Sequence, residues 1–76
     1  MKKYWKELTD KEKLQVYTEI CKSELYQEIL DKNGSDWCTE FSETFMLYKR
    51  AETVNGKLMT VEKFKEIMID DLRNYL

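Results

Sequence analysis

The chain has two glycines and no proline, and both glycines follow asparagine, at Asn33-Gly34 and Asn55-Gly56. Glycine is the residue that adopts positive φ without steric cost, and proline is the residue that breaks a helix by removing its amide donor. Strong punctuation is therefore confined to two places. They cut 76 residues into three stretches, and each stretch reads as an amphipathic helix.

Thr9-Asp10-Lys11-Glu12 has the form of a capping box. In that motif the threonine hydroxyl accepts from the amide of the third helical residue, whose glutamate side chain returns to the threonine amide. From Asp10 the apolar residues Leu14, Tyr17, Cys21, Leu25 and Ile29 recur at intervals of three or four until Lys32-Asn33-Gly34 supplies a basic last turn and a left-handed cap. This predicts a helix over 10–32. Val16, Ile20, Tyr26 and Leu30 form a looser strip on its opposite side, so it is either sandwiched between neighbours or presents one side outward.

Ser35 or Asp36 caps a second helix, predicted over 36–52, whose stripe Trp37, Phe41, Phe45, Tyr48 and Ala51 carries most of the aromatic mass. Met46 lies on its far side and Leu47 on its flank. Thr60 caps a third, over 61–75, with Met59 and Phe64 in the positions of a hydrophobic staple and Glu62 in the first turn. Val61, Phe64, Met68, Leu72 and Tyr75 make its buried stripe, widened by Ile67 and Ile69.

Between the second and third helices, Thr53-Val54-Asn55-Gly56-Lys57-Leu58 reads as a left-handed cap and loop. The alternative is a two-residue type I′ hairpin, disfavoured because two short strands without a third are marginal. The expected architecture is all-α: one domain, residues 1–76, forming a compact three-helix bundle. A short N-terminal arm or turn would pack Tyr4, Trp5 and Leu8 on the first helix. The minor alternative is α+β with a small hairpin around Asn55-Gly56.

A composition of 42% hydrophobic and 13% aromatic residues is too apolar for a disordered chain. No apolar run is long enough to cross a bilayer, and Met1 to Glu7 lacks the apolar stretch of a signal peptide, so the expected location is cytoplasmic, with no membrane partner. In such a compartment Cys21 and Cys38 are reduced and pack as small hydrophobes. Ala, Gly, Pro and Arg are scarce while Lys, Glu, Ile and Tyr are frequent. That usage points to an AT-rich coding sequence, as in a low-GC bacterium or its phages and mobile elements.

The chain has no histidine, which removes the commonest general base. Nothing places a lysine or carboxylate to activate Ser23, Ser35, Ser42, Cys21 or Cys38. Two thiols alone do not complete a tetrahedral metal site. Asp31-Lys32-Asn33-Gly34-Ser35-Asp36 starts like a calcium loop, but its glycine falls at the fourth place instead of the sixth, and Ser42 stands where a bidentate glutamate is required. Neither glycine lies in a phosphate-cradling loop. The expectation is a protein without catalysis, cofactor or metal.

Thirteen Lys and Arg against 15 Asp and Glu give a net charge of −2, without the footprint of a nucleic-acid binder. Two basic clusters keep that partner open: Lys2, Lys3 and Lys6, with Lys11 and Lys13, interleaved with Tyr4 and Trp5; and Lys49, Arg50, Lys57, Lys63 and Lys65 around the second loop. The corresponding function is a helix-turn-helix regulator that lays helix 61–75, bearing Lys63, Lys65 and Arg73, in the major groove. Against it, Ile67, Ile69, Asp70 and Asp71 place apolar and acidic groups where phosphates would approach. Glu24, Glu28 and Asp31, followed by Asp36, Glu40 and Glu43, form a candidate acidic face.

The three stripes take fifteen hydrophobic residues, fewer than half of the hydrophobic complement. Tyr4, Trp5, Tyr26, Leu30, Met46, Leu47, Ile69 and Leu76 are the surplus expected at the surface, and Tyr, Trp and Met are types enriched at interface centres. The function this favours is a non-enzymatic protein-binding module, contacting its partner through Tyr4, Trp5, Tyr26, Leu30, Met46 and Leu47 and the acids Glu24, Glu28, Asp31, Glu40 and Glu43. By analogy of class alone it would be a phage or mobile-element inhibitor of a host defence or nucleic-acid enzyme, as anti-CRISPR and antirestriction proteins are. A homodimer is the competing use of the same strips.

Overall fold

The computed structural model describes residues 2–76. Among the described residues there are four α-helices: α1 (Asp10–Cys21), α2 (Glu24–Asn33), α3 (Trp37–Tyr48) and α4 (Val61–Arg73). A hairpin of β1 (Thr53–Val54) and β2 (Lys57–Leu58) separates α3 from α4, and a 3-10 turn at Trp5–Glu7 precedes α1. The protein is mostly helical with a small two-stranded hairpin.

The predicted helix over 10–32 is two helices. Ser23 ends the first by donating its hydroxyl to Ile20 O at 2.6 Å, and it starts the second by accepting from the Tyr26 amide at 3.3 Å. The Gln27 side-chain amide adds a bond to Cys21 O. A serine that hydrogen-bonds the local backbone competes with the helical ladder, and the gain from the break is burial. Nine residues at about 100° each set Ile20 and Ile29 on opposite sides of a straight helix, yet Ile20 is 5% exposed and Ile29 fully buried. Bending at Lys22-Ser23 turns both apolar strips toward one core. Val16, Ile20, Tyr26 and Ile29 are buried, while Leu14, assigned to the inner stripe, is 57% exposed.

The caps at Thr9 and Thr60 form where their residues predict, whereas the predicted cap of α3 does not: Asp36 takes helical dihedrals and makes no side-chain cap bond. Thr9 Oγ1 accepts from the Glu12 amide and Glu12 Oε1 accepts from the Thr9 amide, which closes the box. Thr60 Oγ1 accepts from the Lys63 amide. Gly34 ends α2 at φ 72°, with its amide donating to Leu30 O.

The second Asn-Gly pair is a hairpin turn, not a helix cap and loop. Asn55 and Gly56 both have positive φ, 52° and 78°, as a type I′ turn requires. Thr53 pairs with Leu58 and Val54 with Lys57. What stabilises so short a hairpin comes from the far end of the chain. The Met59 amide donates to Glu52 O, the Trp5 amide to Met59 O, and the Val61 amide to Lys3 O. The arm thus lies along the Met59-Thr60 segment that enters α4, with an isolated antiparallel bridge from Tyr4 to Thr60.

Rings run through the core from this end to the other. Trp5 stacks on Phe64 at 3.6 Å, Phe64 meets Phe45 edge-on at 5.9 Å, and Phe45 touches Tyr17 at 4.5 Å. Tyr17 then reaches Phe41, whose neighbours are Tyr26, Trp37 and Tyr75.

Candidate functional site

The partner residues expected from the sequence separate into three groups. Trp5 and Tyr26 are core residues. Trp5 has no exposed surface; its indole N–H donates to Lys49 O at 2.9 Å, and the Lys13 ammonium lies 5.5 Å over its ring. Tyr26 is 8% exposed, edge-on to Trp37 at 4.9 Å, with its hydroxyl donating to Cys38 Sγ at 3.3 Å. Both were expected at the surface. They are buried because the arm folds onto α4 and the Ser23 break swings α2 inward. Tyr4, Leu30 and Ile69 are half-buried, Tyr4 under the Lys3 ammonium. Met46, Leu47 and Leu76 are exposed as expected.

The acids are exposed on two helices: Glu24, Glu28 and Asp31 on the outer ridge of α2, and Glu40 and Glu43 on α3. Glu28 pairs with Lys32 at 3.1 Å. Several of the cations proposed for nucleic acid are engaged by carboxylates. Lys2 pairs with Glu12, Lys63 with Glu66, Lys65 with Glu19 and Arg73 with Asp70. Lys6 and Arg50 are exposed and Lys49 half-buried, and these three have no ion pair among the described residues.

What the structure brings together is the end of α3. Trp37, Phe41 and Phe45 are buried along one side, and Tyr48, the next residue of that stripe, emerges 45% exposed. Beside it Met46 is 46% and Leu47 73% exposed. The turn beyond keeps the helical sense, since the Lys49 amide donates to Phe45 O and the Ala51 amide to Tyr48 O. The Trp5 indole and the Lys13 ammonium both donate to Lys49 O, which anchors this end of the helix. Between it, the hairpin and α4 lies an open groove of about 290 Å³, walled by Tyr48, Ala51, Val54 and Ile67, with Met59 and Phe64 beneath. Leu58, 41% exposed on β2, lies on the hairpin nearby in sequence. Tyr48, Leu14 and Leu58 are the exposed residues that sequence reasoning missed. For Tyr48 the available signal was its place at the last turn of the aromatic stripe, where a helix outruns the core that covers it.

Four ionisable groups of the interior are displaced from their ordinary values. Burial, with the Cys21 thiol beside it, pushes the Tyr17 phenol up to about 12. Burial and the bond it donates to Cys38 raise Tyr26. Both phenols are protonated at neutral pH, and the Tyr26 hydroxyl donates to Cys38 Sγ. At the α3–α4 contact, burial and the Glu40 carboxylate raise Asp71, and burial, Glu40 and Asp71 raise Tyr75. Asp71 Oδ2 is buried without a hydrogen-bond partner among the described residues. Among those residues no three Cys, Asp or Glu side chains gather as a metal would need, and no helix is long and apolar enough to cross a membrane.

Comparison with known proteins finds no matching family model, no similar curated protein and no similar solved structure.

Proposed function

We propose that this chain acts by occupying a surface on another protein, with no chemistry of its own, and that the end of α3 is the centre of that contact. The observation that carries the proposal is the run Met46-Leu47-Tyr48, with 46%, 73% and 45% of its surface exposed. Three consecutive helical residues span about 200° of the circumference, so apolar side chains emerge on more than one side of the helix end. The adjoining groove is apolar too. An exposed aromatic and a methionine beside a concave apolar wall is the composition of an interface centre. The acids on α2 and α3 suit a partner with a basic groove, and inhibition of a host nucleic-acid enzyme is the version of the function that fits them. The DNA-binding alternative is less favoured, because the cations of α4 lie beside carboxylates of this chain.

The test is capture from an extract of the encoding organism by the immobilised chain, in parallel with Leu47→Glu and Tyr48→Glu. One host protein is expected to co-purify with the native chain and to be lost, about tenfold or more, from both variants. Far-UV circular dichroism and the melting temperature stay nearly unchanged for Leu47→Glu, because Leu47 is largely in solvent, and they are checked for Tyr48→Glu, where the ring is half covered. Equal capture by the variants overturns the assignment.

A further inference from the structure

We infer that the outward face of α3 docks a second copy of this chain, antiparallel, about a twofold axis between Met46 and Leu47. The inference rests on the reading of the end of α3 as a contact surface, and it names one occupant.

The argument starts from spacing. Glu43, Met46 and Leu47 lie on α3 and Arg50 in the turn just past its end, following one another at three, one and three residues. All four are exposed. The arrangement is symmetric: Glu43 stands three residues before Met46 and Arg50 three residues after Leu47. Reversing a copy of the helix about the midpoint of Met46 and Leu47 therefore lays Glu43 opposite Arg50 of the second copy, Arg50 opposite its Glu43, and Met46 opposite its Leu47. That is the self-complementarity an isologous contact requires.

Charge supports this pairing and disfavours others. Neither Glu43 nor Arg50 has an ion-pair partner among the described residues, so both are free to pair across the contact. A parallel alignment in register sets Glu43 against Glu43 and Arg50 against Arg50. An antiparallel alignment centred on Glu43 brings the two Glu43 carboxylates together. The offset to the midpoint of Met46 and Leu47 places Glu43 and Arg50 together twice, with the two apolar residues between them. Antiparallel helices also oppose their dipoles favourably. The contact is one helix face wide, below the area of permanent interfaces, so the dimer is weak.

Sedimentation equilibrium of the native chain from about 0.01 to 1 mM tests the proposal, with circular dichroism as the check on folding. Leu47→Glu is expected to weaken association about tenfold or more. Glu43→Lys and Arg50→Glu alone should each weaken it about three- to tenfold, by opposing like charges twice per dimer. Glu43→Lys combined with Arg50→Glu restores both pairs and should recover the native constant within about twofold. A double variant no better than the singles overturns the register. A chain that remains monomeric at 1 mM overturns the dimer, and if Leu47→Glu still abolishes host-protein capture, the proposed function stands without it. A dimer that behaves as described but captures no host protein supports this inference and removes the other.

Discussion

Trp5 shows how much one residue contributes when it is held from several directions. Its ring is fully buried against Phe64 and its N–H satisfies the carbonyl just past α3. Removing such a ring costs about 3–5 kcal/mol, comparable with what a core in a chain this short supplies. Trp5→Ala is expected to leave the protein largely unfolded at 25 °C. Trp5→Phe keeps a ring on Phe64 but loses the donor and part of the buried volume, while Lys13 still reaches Lys49 O, so urea denaturation should register about 1–3 kcal/mol, less than for Trp5→Ala. A small effect of Trp5→Ala would contradict the docking of the arm. Tyr26 follows the same pattern on the other side of the core: an amphipathic side chain that sequence counting assigns to the surface and packing consumes. At both positions hydrophobic type was legible and location was not, because location depends on segments far away in the chain.

Elements begin and end where short-range chemistry tells them to. The capping box at α1 was readable from Thr9 and Glu12, and the structure adds a third member, the Lys2 ammonium 2.6 Å from Glu12 Oε1. That ammonium and the Thr9 amide hold the Glu12 carboxyl at about 2 instead of the ordinary 4.5. A carboxyl whose pKa is lowered by folding contributes stability in full above its unfolded value and loses it as pH falls through its folded value. The cap is therefore expected to weaken between pH 4.5 and about 2. Glu12→Gln keeps an acceptor for the Thr9 amide but no titrating charge, so its melting temperature should fall less than that of the native chain over this window. Identical slopes would show that Glu12 is not held this way. Asp71, with its pKa raised by burial and by Glu40, works in the opposite sense, destabilising as it ionises. At the α1–α2 junction the informative residue was Ser23, whose cap was hidden by an apolar period that continued past it. Ser23→Ala is expected to cost about 1 kcal/mol in chemical denaturation. No loss would mean that packing alone makes the bend.

For the molecule as a whole, the helical class, the caps at Thr9 and Thr60, the aromatic stripe of α3 and the exposure of Met46 and Leu47 could all be read in advance. The two Asn-Gly pairs show where that legibility stops. Both mark reversals, but at the first only Gly34 takes positive φ, to end a helix, whereas at the second Asn55 and Gly56 both do, to turn a hairpin. An isolated hairpin of this length is marginal; this one is supported by the arm, which bonds to Met59 and Val61 just after it. The surface open to a partner was decided in the same way, by which apolar residues the arm, the Ser23 bend and the hairpin left uncovered. The sequence by itself determined where helices start and where the chain reverses, because caps and turns are made between residues within about four of one another. Only the tertiary structure decided which strip of α1 and α2 is buried, whether Thr53 to Leu58 pairs as strands, and that Tyr48 stands half in solvent while Trp5 does not. Burial is set by residues that meet in space from opposite ends of the chain, and no local pattern encodes that meeting.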